Sequence, residues 1–295
     1  MDNSKKIIFV MGYPRSGTTL LQQIISSSAN TKTSAESWMY IYPLNIFRQN
    51  YLASYSANLL LQGINDYLYY NKLCQDDLLK VLGRAVTDTI TTDLKDNQRY
   101  IEKTPRNMDI ISELRIACPQ SKFIFIERDS VSRMESIRKT WGRETNMRFW
   151  KFKRECSRSV LYDYDPLSAN EMLISYHELT QDPNALIDRL NNFLKISIPE
   201  NVANNLPDRP HGKLGDEKLA GNTRNIAENK MTAITFINKM IYRIHFPESI
   251  HAMKSVELSF NIHKNFKDLL YYLISFVLYR IIFWGGKRVK SELYE

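Results

Sequence analysis

The chain has 295 residues, of which 43% are hydrophobic and 24% are charged. This length and composition can bury a full core, and they exclude a disordered or fibrous protein. The formal charge of +8 favours an anionic partner, whether a phosphorylated nucleotide, an anionic lipid surface or a nucleic acid.

The first predicted elements are a strand, a turn and a helix. Lys6 to Met11 is apolar enough for a buried strand, Gly12 to Gly17 predicts a turn, and Thr18 to Ser27 predicts a helix with one apolar face. The apolar run at the start is too short for a signal peptide or a spanning helix. We therefore expect a cytoplasmic chain, and three cysteines without metal-ligand spacing fit a reducing compartment.

Strands and helices then alternate after an irregular, tyrosine-rich helical segment from Trp38 to Leu82, which we assign to the acceptor. Strands are predicted at Tyr100 to Lys103, Lys122 to Glu127 and Met172 to Tyr176. Helices are predicted at Val81 to Leu94, Asn107 to Ala117, Val131 to Thr140, Phe149 to Tyr162 and Pro183 to Leu194, the last one capped by Asp182. Such alternation predicts an α/β fold, a three-layer sandwich with a central parallel sheet.

The C-terminal part is predicted to be a separate helical section. We assign residues 1–225 to one domain and residues 226–295 to a helical C-terminal section that can belong to the same domain. Leu269 to Trp284 is nearly all apolar, but it is too short and too interrupted for a bilayer span. With its basic flank, the segment 269–290 could make a peripheral contact with a membrane, or pack on the domain, or pack on a second subunit in a homodimer.

The turn from Gly12 to Thr19 has the two glycines of a Walker A loop, between a buried strand and a helix. Successive backbone amides and the helix N-terminus of such a turn converge on an anion, so the predicted sandwich is of the P-loop type. The position that carries the lysine of a nucleoside triphosphatase is Thr18. The absence of that lysine disfavours a kinase or ATPase and favours a ligand whose reactive group sits on a single 5'-phosphate.

Three segments resemble the sulfotransferases that use 3'-phosphoadenosine 5'-phosphosulfate (PAPS). Residues 14–20 are similar to the 5'-phosphosulfate loop of the tyrosylprotein and bacterial carbohydrate branches. Arg128 at a strand end, with Ser136 eight residues later, resembles the 3'-phosphate site of the family. The segment 172–179 resembles the strand and helix that carry a tyrosine beside the nucleotide. The loop that closes over the nucleotide in this family is expected at residues 214–225.

The resemblance covers about residues 6 to 225 and makes residues 1–225 the PAPS-binding domain. The nucleotide contacts that it implies are Arg15, Ser16, Gly17, Thr18, Thr19, Leu20, Arg128, Ser136, Tyr176, Lys218 and Arg224.

The resemblance also implies catalytic roles. Glu36 lies where the tyrosylprotein branch has its catalytic glutamate, and a carboxylate there can accept the proton of the acceptor hydroxyl. Lys103 resembles the transition-state lysine, which with Arg15 neutralises charge on the bridging oxygen. The histidine base of the small-molecule branch has no obvious counterpart, and no metal is expected.

These similarities imply a PAPS-dependent sulfotransferase that releases 3',5'-ADP after sulfonating a hydroxyl or amine. We expect a saccharide or glycolipid acceptor first, with a small metabolite or a peptide tyrosine as alternatives. Two other functions stay open: an atypical P-loop kinase or ATPase, and a catalytically inactive protein that binds nucleotide or nucleic acid. Glu36 and Lys103 argue against an inactive protein, so no nucleic-acid partner is expected.

Overall fold

The structure is a computed structural model, and it describes most of the first 203 residues and a few later ones. The described residues are 2–47, 57–130, 132–133, 136–137, 158–203, 206, 234–235, 258–259, 266, 269–270 and 273. They fall into two compact units: Met1–Glu127 with Val160–Glu228, and Arg128–Ser159 with Asn229–Glu295. The predicted domain boundary at residues 225 and 226 lies outside the described residues.

A five-stranded sheet forms the centre of the first unit. Its strands are β1 (Ile7–Met11), β2 (Thr31–Thr33), β3 (Arg99–Glu102), β4 (Lys122–Glu127) and β5 (Glu171–Ser175). Their order is β2-β3-β1-β4-β5, and every neighbouring pair is parallel. The chain builds one side of the sheet after β1 and the other side from β4 onwards. The strand order therefore reverses next to β1, which is where open α/β sheets bind their ligands.

In the described part of the first unit, seven helices accompany the sheet. They are α1 (Thr18–Ser26), α2 (Ile41–Leu44), α3 (Ala57–Tyr70), α4 (Gln75–Thr91), α5 (Ile111–Ala117), α6 (Tyr176–Gln181) and α7 (Pro183–Leu194). Short 3-10 turns lie at Asn3–Lys6, Pro105–Ile110, Val160–Tyr162 and Glu200–Ala203. The side chain of Asp182 accepts a hydrogen bond from the Ala185 amide at 3.1 Å, which confirms the predicted cap of α7.

The sheet is buried on both faces, and two separate cores result. In β1, Ile8 and Val10 belong to a core that is completed by α1 and α7. The alternate residues, Ile7 and Phe9, belong to a second core that is completed by α4 and α5. Since successive side chains of a strand point to opposite faces, helices cover both sides of the sheet. The predicted α/β sandwich with a central parallel sheet is confirmed.

Three details differ from the predictions. The sequence pattern did not predict β2, a strand of only three polar residues that pairs with β3. Tyr176 begins a helix instead of ending a strand, because Ser175 and Glu178 form a capping box there. The described end of the helix predicted over Phe149 to Tyr162 is not α-helical, since Val160–Tyr162 is a 3-10 turn.

The second unit is described only in part. Ser130, Ser132–Arg133 and Ser136–Ile137 are helical, and the buried Arg133 donates from Nη1 to the carbonyl oxygen of Arg158 at 2.6 Å. Ile234–Thr235 pairs in parallel with Leu258–Ser259. Within the described parts of the chain, we find no helix with the length and apolar content that crossing a bilayer requires.

Two helical glycines give opposite predictions for stability. A Cβ atom at Gly83 of α4 would lie 2.5 Å from Ala117 Cβ, whereas one at Gly63 of α3 would meet nothing within 4 Å. We expect Gly83→Ala to lower the free energy of unfolding by about 1 to 2 kcal/mol, because the two helices must separate. Gly63→Ala should raise it by about 0.5 to 1 kcal/mol, since alanine favours an exposed helix. Urea unfolding measures both, and a stabilised Gly83→Ala variant would contradict close packing between α4 and α5.

Candidate active site

The loop between β1 and α1 has a backbone conformation that few residue types adopt. Arg15 has φ of 69°, and Gly17, the N-cap of α1, has φ of 101°. The left-handed conformation is strained for residues with a Cβ atom and is open to glycine. The loop is closed by a hydrogen bond from the Ser16 amide to the Tyr13 carbonyl oxygen at 3.1 Å. It is therefore a fixed turn that ends directly in a helix N-terminus.

Both glycines of the loop lie against neighbouring side chains. A Cβ atom at Gly12 would lie 2.8 Å from Ile126 and from Thr18, and one at Gly17 would lie 2.5 Å from the ring of Tyr176. Among the described residues, no side chain caps α1 at Gly17. The first-turn amides of α1 are consequently available to an anion, and the helix dipole adds to the attraction.

Tyr176 is held beside this loop by the start of α6. The hydroxyl of Ser175 accepts a hydrogen bond from the Glu178 amide at 3.0 Å, and the Glu178 carboxylate accepts one from the Ser175 amide at 2.8 Å. This reciprocal cap fixes the first residue of the helix, Tyr176, whose ring contacts Gly17. The structure thus places Tyr176, a predicted nucleotide contact, beside the loop from Gly12 to Thr19, which we call the phosphate loop.

Glu36 and Lys103, the two residues predicted for proton transfer and charge stabilisation, form an ion pair. Lys103 Nζ donates to Glu36 Oε1 at 3.0 Å. The Lys103 side chain is 2% exposed and that of Glu36 is 18% exposed. A buried ammonium needs an opposite charge nearby, so the position of Lys103 depends on Glu36.

The segment that carries Glu36 is held by α1 and by β3. Gln22 of α1 donates from Nε2 to Thr33 Oγ1 at 2.6 Å and to the Ser34 carbonyl oxygen at 2.9 Å. The Ser34 hydroxyl is hydrogen-bonded to the Tyr100 hydroxyl at 2.5 Å. Since α1 directly continues the phosphate loop, Gln22 couples the position of the loop to that of Glu36.

Tyr40 anchors the far end of the same segment in the core. Its side chain is fully buried, its hydroxyl is hydrogen-bonded to Thr87 Oγ1 at 3.0 Å, and its ring packs edge-on against Phe9. Burial raises the pKa of the Tyr40 phenol above its ordinary value, with the charge of Cys118 as the next cause. Tyr40 therefore stays neutral and acts as a structural anchor.

Glu102 is a site residue that the sequence pattern did not reveal. It is 1% exposed and is the last residue of β3, directly before Lys103. Its carboxylate accepts hydrogen bonds from Thr104 Oγ1 at 2.7 Å, Ser37 Oγ at 2.7 Å and Asn107 Nδ2 at 3.3 Å. Burial raises the pKa of Glu102, and these three hydrogen bonds and the charge of Lys103 act against that rise. The sequence signal that could have revealed Glu102 was an acidic residue at the end of a predicted strand of the sheet.

Arg128 and Ser136 belong to the second unit. Arg128 directly follows Glu127, the last residue of β4. Asp129 Oδ1 accepts a hydrogen bond from the Ser132 amide at 2.8 Å, as an N-cap does, and Ser136 is helical and partly buried. The strand end and the following helix are thus where the sequence predicted them.

The remaining predicted contacts divide into two groups. Thr19 and Leu20 lie in the first turn of α1 and are partly buried. Lys218 and Arg224 lie outside the described residues. For all four residues, the contact with the nucleotide stays a prediction.

Within the first unit, one edge of the sheet gathers the predicted residues. Glu36 follows β2, Lys103 follows β3, the phosphate loop follows β1 and Tyr176 follows β5. Because all five strands are parallel, these positions share the carboxyl edge. The arrangement combines an anion-binding loop with a buried cation and a partly exposed carboxylate. It can bind a phosphate ester and exchange a proton beside it.

Comparisons with known proteins show the family of the chain. A family model described as "Sulfotransferase family" matches residues 8–200, more than half of the chain. A protein of Aquifex aeolicus (strain VF5), described as uncharacterized, is 22% identical over 208 residues, which cover 68% of this chain and 26% of that protein. The chain thus spans about a quarter of the length of this relative.

Two further similarities extend over most of the chain. A Caenorhabditis briggsae protein with the provisional name protein-tyrosine sulfotransferase is 24% identical over 210 residues, covering 68% of this chain and 70% of that protein. Among solved structures, a mouse sulfotransferase complexed with PAP has a TM-score of 0.47 and 13% identity, and the similarity covers 90% of this chain and 88% of that one. The residues matched by the family model include β1 to β5 and the phosphate loop.

The raised pKa of Glu102 predicts how stability changes with pH. A carboxyl group whose pKa is raised by folding contributes stability that is lost as pH rises from the unfolded pKa through the folded pKa. Glu102→Gln removes this loss. We expect its free energy of unfolding, relative to the wild type, to increase as pH rises from about 4.3, the unfolded value.

Urea unfolding at a series of pH values measures this difference. Glu200→Gln makes the same chemical change at an exposed position and serves as the control. If the relative stability of Glu102→Gln instead falls with rising pH, folding favours the carboxylate and the pKa of Glu102 is lowered rather than raised.

Proposed function

Because the chain belongs to the sulfotransferase family, we propose that it transfers a sulfonate group from PAPS to a hydroxyl or amine of an acceptor. The observation that carries this proposal is the ion pair between Lys103 and Glu36 at the carboxyl edge of the sheet. It joins a cation suited to a leaving oxygen with a carboxylate suited to an attacking hydroxyl.

The loop between β1 and α1 fits the 5'-phosphate end of this donor. A Cβ atom at Gly12 or Gly17 would collide with neighbouring groups, so glycine at both positions lets the loop pack closely against β4 and Tyr176. Ser16 and Thr18 are buried in the loop, and Arg15 is partly exposed. We assign the 5'-phosphosulfate to the loop amides, to these three side chains and to the first turn of α1 with Thr19 and Leu20.

Arg128 and Ser136 would hold the 3'-phosphate. An arginine at the end of a parallel strand presents a planar set of donors that matches a phosphate group. Ser136, which lies on the helix that follows, supplies a hydroxyl. The ring of Tyr176, beside Gly17, is assigned to the nucleotide as well.

The transfer step assigns one task to each member of the ion pair. PAPS, when bound, supplies the activated sulfonate. Glu36 accepts the proton of the acceptor hydroxyl as the acceptor oxygen forms a bond to sulfur. The bond between sulfur and the bridging oxygen breaks, and its electron pair stays on the 5'-phosphate. Lys103, assisted by Arg15, stabilises that charge, so its ammonium has to turn from Glu36 towards the leaving oxygen.

For the acceptor, we propose a saccharide or glycolipid. Exposed aromatic side chains are frequent between β2 and α4, in the segment assigned to the acceptor. They are Trp38, Tyr42, Tyr67, Tyr69 and Tyr70, which are 41% to 81% exposed. Aromatic rings offer flat apolar faces together with polar groups, which suits a sugar ring. A peptide tyrosine would use the same surfaces.

Replacing Glu36 should stop turnover without loss of the nucleotide. In Glu36→Gln we expect kcat to fall by about 10²- to 10⁴-fold, because the acceptor proton has no base. The affinity for 3',5'-ADP should stay within about twofold, since Glu36 is not assigned to nucleotide binding. Transfer of radiolabelled sulfonate from PAPS to an acceptor found in a library of saccharides, phenols and peptides measures kcat. Glu200→Gln is the matched control, and near-normal turnover by Glu36→Gln would disprove the assignment.

Replacing Arg128 should have the opposite effect. In Arg128→Ala the affinity for 3',5'-ADP should fall by about 10- to 100-fold, which is the loss of a charge-assisted hydrogen bond, while the affinity for 5'-AMP stays unchanged. Isothermal titration measures both, with the exposed Arg84→Ala as the control. Magnesium-dependent binding of ATP, with no preference for a 3'-phosphate, would instead indicate a kinase or ATPase.

A further inference from the structure

Glu102 is as deeply buried as Lys103 and more deeply buried than Glu36. It is 1% exposed, compared with 2% for the Lys103 side chain and 18% for the Glu36 side chain. An acid is seldom buried to this degree, because a carboxylate loses much of its solvation there.

The hydrogen bonds of Glu102 lead to the segment that carries Glu36. Ser37 Oγ donates to Glu102 Oε2 at 2.7 Å, and the same hydroxyl accepts a hydrogen bond from the Met39 amide at 3.2 Å. Thr104 Oγ1 donates to Glu102 Oε1 at 2.7 Å and accepts from the Trp38 amide at 3.3 Å. Residues 37 to 39 are therefore tied to the end of β3, by the Glu102 carboxylate through Ser37 and by Thr104 at the Trp38 amide.

Glu36 is thus fixed from two sides. On one side, Gln22 holds the Ser34 carbonyl oxygen at 2.9 Å. On the other side, Glu102 holds the Ser37 hydroxyl. The residue between them carries the carboxylate that pairs with Lys103 at 3.0 Å. Removing either support would let the backbone around Glu36 move relative to β3.

We propose that Glu102 is a positioning residue of the transfer step, which holds Glu36 in reach of Lys103 through Ser37. The part that concerns transfer rests on the proposed sulfotransferase function. The part that concerns the Glu36 segment stands on the hydrogen bonds alone.

The kinetic test uses Glu102→Gln, Ser37→Ala and the double variant. We expect Glu102→Gln to lower kcat by about 10- to 100-fold, as for a small displacement of a reacting group, with the KM for PAPS and the Kd for 3',5'-ADP within about twofold. The double variant should be no slower than Glu102→Gln, because both changes break the same connection. A normal kcat in Glu102→Gln, or fully additive effects, would overturn the proposal.

Glu171→Gln is the matched control, since Glu171 is also a buried acid of the sheet. It is 8% exposed and is the first residue of β5, the outer strand on the other side of β1 from β3. It pairs with Arg115 at 2.7 Å. We expect this variant to lose stability and to keep its kcat. An equal loss of kcat in both variants would mean that any buried acid of the sheet has this effect, which would overturn the special role of Glu102.

Hydrogen exchange separates a failure of this inference from a failure of the proposed function. In Glu102→Ala, the amides of Trp38 and Met39 should exchange faster than in the wild type, and in Glu171→Gln they should not. If the wild type transfers no sulfonate from PAPS, the proposed function fails, and exchange still decides whether Glu102 holds this segment. Unchanged exchange at Trp38 and Met39 would overturn it.

Discussion

A buried ammonium group at the end of β3 is the constraint on which the candidate site depends. Lys103 is removed from water, so it needs a carboxylate beside it, and Glu36 meets this need at 3.0 Å. Glu36 can do so only because its segment is held by Gln22 on one side and by Glu102 on the other. The positions of the loop helix, of β3 and of the segment after β2 therefore depend on one another, and a change in any of them would alter the pair.

The topology of the sheet explains how residues that lie far apart in the chain come to share this edge. β1 lies between β3 and β4, so the loop after β1 sits where the strand order reverses. Strands on either side end at the same edge, which brings Lys103 and Glu36 to one side of the loop and Tyr176 to the other. The contact between Gly17 and the Tyr176 ring shows how tightly these elements pack. The shared carboxyl edge of the parallel strands thus brings the site residues together.

The sequence predicted the features that have strong local signals. The apolar run of β1, the glycines of the loop and the alternation of strands and helices predicted the fold. The family resemblance pointed to Glu36 and Lys103, which the structure joins in an ion pair. Glu102 escaped prediction because its burial and the hydrogen bond from Ser37, 65 positions away in the chain, arise only from tertiary packing. β2 escaped because three polar residues have no strand signal without the pairing to β3. The start of α6 at Tyr176 depends on a local capping box that the strand pattern concealed.

We propose that one nucleotide binds with its 5'-phosphate on the loop from Gly12 to Thr19, beside Lys103, and with its 3'-phosphate on Arg128 and Ser136. A crystal structure of the complex with 3',5'-ADP tests it most directly. We expect the 5'-phosphate on the amides of the loop, Lys103 Nζ within hydrogen-bonding distance of it, and the 3'-phosphate on Arg128. A nucleotide bound away from the loop, or an Arg128 side chain turned into solvent far from the bound nucleotide, would contradict this claim.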